Sequence, residues 1–69
     1  MDPVVKDLMS RKEEIIKELE LLFKANMKIT DWDVPEADDR EAAKVLLQIL
    51  REGLEKIEAD VEAGKYDSY

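Results

Sequence analysis

Glu52, Glu55 and Glu58 follow one another at every third position. On a helix this spacing stacks carboxylates along one face, and such carboxylates on two facing helices can share a magnesium ion. Here the three sit beside Leu54 and Ile57 on the outer flank of their helix, and the N-terminal half of the chain carries no matching cluster. They read as solvated flank residues. Asp31 and Asp33 begin like a calcium loop, but Pro35 falls at its fifth position and Glu36 stands where a glycine is required. There is no histidine and no cysteine, and the hydroxyls are Ser10, Thr30, Tyr66, Ser68 and Tyr69. No nucleophile–base pair, di-iron ligand set or glycine-rich phosphate loop can be assembled from these residues. The chain is therefore read as a non-enzyme with no cofactor and no metal site.

Charge narrows the partners. The 69 residues carry a net charge of −7, unevenly placed. Residues 3–25 balance five bases against five acids, whereas residues 35–64 set nine acids against four bases. A protein that binds a nucleic-acid backbone needs the opposite sign, and anionic lipids would repel these polar faces. Neither nucleic acid nor membrane is an expected partner; a protein with a basic surface fits. No apolar run approaches 18 residues and no signal peptide is visible, so a cytoplasmic location is expected.

Residues that work by contact must be positioned by helices. With 45% apolar and 42% charged residues but only two glycines and two prolines, the composition suits an ordered helical chain. Asp2-Pro3 is a helix start, with Asp as N-cap and Pro at the first helical position. Val5, Leu8, Ile15, Leu19 and Leu22 then recur at helical spacing, interrupted by Lys12. One helix over 3–25 follows, although Ser10-Arg11-Lys12-Glu13 also fits a capping box, which would make residues 3–9 a separate helix able to fold back. Residues 26–34 form the connecting corner, because Val34 precedes Pro35 and is driven to an extended backbone. The second helix spans 35–63, capped by Asp33 with Glu36, or later by Asp38 with Glu41. Gly64 stops it, and 64–69 is a tail.

The second helix carries two seams. Ala43, Leu47, Leu50, Leu54, Ile57 and Val61 recur as heptads, suited to one helical neighbour. Ala42, Leu46, Ile49 and Gly53 run beside them over the first half only. One partner helix covers one seam, so a second surface remains. The expected fold is all-α: an antiparallel two-helix hairpin that dimerises into a four-helix bundle. The residues assigned to its interface are Trp32, Ala42, Leu46, Ile49 and Gly53. Two of them have a second reading: Gly53 as a packing notch within the chain, and Trp32 as a lid on the hairpin, stapled onto Ala37.

The segment Glu52-Gly53-Leu54-Glu55-Lys56-Ile57-Glu58-Ala59-Asp60-Val61-Glu62-Ala63-Gly64-Lys65 resembles the tails of short type II antitoxins, which carry a Gly-Leu-x-x-Ile-Glu-Ala core before an Ala-Gly-basic step. The resemblance covers the last quarter of the chain. It implies a regulator that neutralises a basic partner through Leu54, Ile57 and Val61. No basic DNA-binding module precedes the segment, a departure from that family. A third reading takes Asp38, Asp39, Glu41, Glu52, Glu55, Glu58 and Glu62 as phosphate mimics that inhibit a DNA-binding protein. The leading expectation is a small acidic module that acts by protein contact.

Overall fold

A computed structural model describes residues 2–36 and 38–69 of the chain. It is all-helical, with no strand among the described residues, and it has three helices where the sequence led us to expect two. They are α1 (Pro3–Ser10), α2 (Lys12–Asp33) and α3 (Asp39–Glu62).

The break between α1 and α2 has a local cause. In a continuous helix the Arg11 N–H would donate to the Asp7 carbonyl. That carbonyl instead accepts from the Ser10 hydroxyl at 2.6 Å, and the Arg11 N–H donates to Leu8 at 3.1 Å. Arg11 leaves the helical region at φ −106° and ψ 11°, while its guanidinium reaches the Asp7 carboxylate at 3.2 Å. Ser10 thus back-bonds rather than capping the next helix. The long dimension of the molecule is 49 Å. A helix of α3's length spans about 36 Å, and α1 with α2 end to end span about 46 Å. α1 therefore runs on from α2, touches only α2, and does not fold back over α3.

The corner is shorter than the sequence suggested. Residues 26–33 are helical, and α3 begins at Asp39 rather than at 35. Asn26 and Thr30 are weak helix formers, yet each is accommodated by a side-chain bond to the preceding turn. Asn26 Nδ2 donates to the Leu22 carbonyl at 2.9 Å, and Thr30 Oγ1 to the Asn26 carbonyl at 3.1 Å. Only Val34, ahead of Pro35, ends the helix, at φ −134°. Of the two capping schemes, the later one holds the N-terminus: Asp38 Oδ1 accepts from the Arg40 N–H at 2.9 Å and the Glu41 N–H at 3.3 Å. The staple onto Ala37 lies outside the described residues.

The far end of α3 stops where the sequence placed its stop. Gly64 takes φ 83°, its N–H donates to Val61 and that of Lys65 to Asp60, at 3.1 and 3.0 Å. This is the Schellman pattern, and the left-handed residue it needs is the glycine. A Cβ at Gly64 would also meet the Asp67 carboxylate at 2.9 Å.

Candidate functional site

The packing of α2 on α3 decides what is left for a partner. Near the corner, Phe23, Met27 and Thr30 of α2 and Ala42, Ala43, Leu46 and Leu50 of α3 are half-buried. Ala42 and Leu46 belong to one seam of α3, Ala43 and Leu50 to the other. α2 therefore sits over the boundary between the seams and leaves apolar surface on both sides. Leu47 is open on one side, Val45 and Ile49 on the other. Sequence periodicity assigned a whole seam to α2; the rotation of α3 about its axis, which periodicity does not fix, divides both.

Away from the corner the helices uncover each other. Leu19 and Leu22 on α2 and Leu54, Ile57 and Val61 on α3 are all exposed. Between them lies an apolar groove lined by Leu19, Leu22, Ile49, Leu50, Leu54 and Ile57, with Gly53 in its wall. A second groove nearer the corner is lined by Asn26, Ile29 and Thr30 with Ala42, Val45, Leu46 and Ile49. Ile49 borders both grooves.

The five residues assigned to the interface divide accordingly. Ile49 is 55% exposed and central. Ala42 and Leu46 are half-covered by their own chain. Gly53 is exposed, and nothing lies within 4 Å of where its Cβ would be, so it is not a packing notch within the chain. Trp32 is 76% exposed and lids nothing. It is separated from the grooves, so no single patch of one chain unites all five. The sequence reading also passed over α1, whose Val4, Val5, Leu8 and Met9 are all exposed. Their spacing in an eight-residue helix carried the signal.

The whole molecule has no buried apolar residue among those described. Its accessible surface is 6389 Å². A folded monomer of 8.0 kDa exposes about 4,450 Å², so the excess is about 1,900 Å². The radius of gyration is 15.9 Å against about 11 Å for a compact chain of this length.

Electrostatically the notable feature is at the corner. Asp31, in the last turns of α2, lies near Asp39, at the start of α3, and feels its negative charge. The Asp39 side chain as a partner for the protonated form first, and then some loss of solvent and the Asp39 charge, raise the Asp31 carboxyl above its ordinary value. No group of three or more acidic side chains able to hold a metal ion is found among the described residues. No helix of these residues is long and apolar enough to cross a membrane.

No protein-family model, curated protein or solved structure matches the chain.

Proposed function

We propose that this protein is a small acidic, non-enzymatic interaction module that acts by self-association. α2 and α3 form an antiparallel hairpin, and two hairpins pair into a four-helix bundle through Ile49 and the groove around Gly53. The observation that carries this reading is the absence of any buried apolar side chain among the described residues. Ordering a chain costs about 1.5 kcal/mol per residue, which only burial offsets. The surplus of about 1,900 Å² per copy falls within what obligate homodimers bury, about 1,000–2,500 Å² per partner. A second copy is always present to supply that cover. Chain entropy disfavours the alternative of an uncovered rod.

Sedimentation equilibrium tests it. At tens of micromolar the chain should sediment at twice its 8.0 kDa mass. Ile49→Asp should return it to a single-chain mass and lower its helicity, since a buried unpaired carboxylate is costly. A helical monomer of the unaltered chain at that concentration would overturn the reading.

The antitoxin-like alternative has one supporting observation: Leu54, Ile57 and Val61 all lie exposed on α3. The same surface serves a basic partner or a second copy. Capture of a small basic protein encoded beside this one, displacing the dimer, would favour that alternative.

A further inference from the structure

α2 and α3 are matched in length, at 22 and 24 residues, so the hairpin they form ends near Arg11 and Gly64. α1 extends past that end. Its Val4, Val5, Leu8 and Met9 face solvent, and α3 makes no contact with it. At the other end, Trp32 and Val34 are exposed at the corner. Each chain thus carries two uncovered apolar ends that its own hairpin cannot bring together, since they lie at opposite ends of a 49 Å rod.

Charge distinguishes the two ends. Residues 28–41 hold Asp31, Asp33, Glu36, Asp38, Asp39 and Glu41 against Lys28 and Arg40, a net of −4. Residues 2–12 hold Lys6, Arg11 and Lys12 against Asp2 and Asp7, a net of +1. The tail beside them, residues 60–69, adds Asp60, Glu62 and Asp67 against Lys65, which leaves that end at −1. A parallel pair would set −4 against −4. An antiparallel pair sets −4 against −1 at both ends, and like-charge juxtaposition makes the first arrangement the costlier.

Register follows from the apolar groove. A two-fold axis that passes the groove, near Leu19–Leu22 on α2, levels residues equally far on either side of it. Trp32 then lies level with residue 9 of the second copy, and Val34 with residue 7. We propose that two copies of this chain pair antiparallel, with α1 of each lying along the corner of the other and covering Trp32 and Val34. The inference rests on the self-association proposed above and adds its direction, its register and a role for α1. The apolar face of α1 meets the largest exposed side chain of the corner, while Lys6, Arg11 and Lys12 border the corner's carboxylates. Each four-helix bundle is closed at both ends by a helix from the opposite chain.

The chain has no cysteine and one tryptophan, which supplies two clean probes. In Glu36→Cys, an exposed corner position, nitroxide labels should stand about 40 Å apart by electron–electron double resonance, from 1.5 Å of rise per residue. A separation under about 20 Å means parallel pairing and overturns the proposal while leaving self-association intact. Trp32 emission should shift to the blue as the dimer forms. Leu8→Asp, about 36 Å from Trp32 along its own chain, should shift it back to the red. Emission of a water-exposed indole in a sample that sediments as a dimer overturns the α1 contact. A chain that sediments as a monomer at tens of micromolar overturns both readings.

Discussion

Asp31 and Asp39 set two carboxylates near each other across the corner, and the Asp39 side chain favours the protonated form of Asp31. The folded chain holds Asp31 above its ordinary value of 3.8, so in the interval above that value it binds more protons than the unfolded chain does. For an acid shifted upward the sign runs against the usual carboxylate case. Stability is lost as pH rises through the folded value and is regained as pH falls back toward 3.8. Asp31→Asn offers Asp39 an amide donor and removes the second charge. The variant should melt above the parent at pH 7, and the gap should close as the pH is lowered toward 4; thermal melts followed by circular dichroism measure both. A gap independent of pH would place the effect elsewhere than in this pair. The pairing was not legible locally, because Asp31 and Asp39 belong to different helices. What could be read was that acids at a helix start are favoured, and Asp38 does cap α3.

Gly53 tests how an element serves its assembly. In a helix interior, glycine costs up to about 1 kcal/mol relative to alanine. Nothing in the chain occupies the space its Cβ would take. Gly53→Ala should therefore raise helicity in dilute samples, where the chain stands alone. In concentrated samples the added methyl enters the groove a second copy would fill, and the dimer dissociation constant should rise severalfold. Circular dichroism at low concentration and sedimentation equilibrium at high concentration separate the two effects. A variant that gains on both counts would show that no copy approaches this point closely. The start at Pro3 and the stop at Gly64 were readable because a cap or a breaker acts within a few residues. The end of α2 was not. The corner was placed at 26–34 from Val34 before Pro35, but the bonds of Asn26 and Thr30 to the preceding turn accompany a helix that continues to Asp33.

At the scale of the whole molecule, a surplus of about 1,900 Å² is the basis of the proposed self-association. When two copies bury what one cannot, mass action makes the melting temperature depend on protein concentration. It should rise by about 5–11 °C between about 5 and 500 micromolar, since a hundredfold change in concentration is worth about 2.7 kcal/mol per dimer, half of that per chain, and such a small chain shifts by about 4–8 °C per kcal/mol. A midpoint unmoved across that range would mark a chain that folds alone.

The sequence by itself determined that this chain is helical, where its first helix begins and where its last one stops. Those features depend on neighbours in the chain: Asp2 before Pro3, Val34 before Pro35, Gly64 in the left-handed region. Only the tertiary structure decided that α2 straddles both seams of α3, that Trp32 faces water and that α1 contacts α2 and not α3. Those outcomes depend on how one helix is rotated and spaced against another, and many rotations satisfy the same periodicity. The sum of surface left uncovered depends on all of these contacts together.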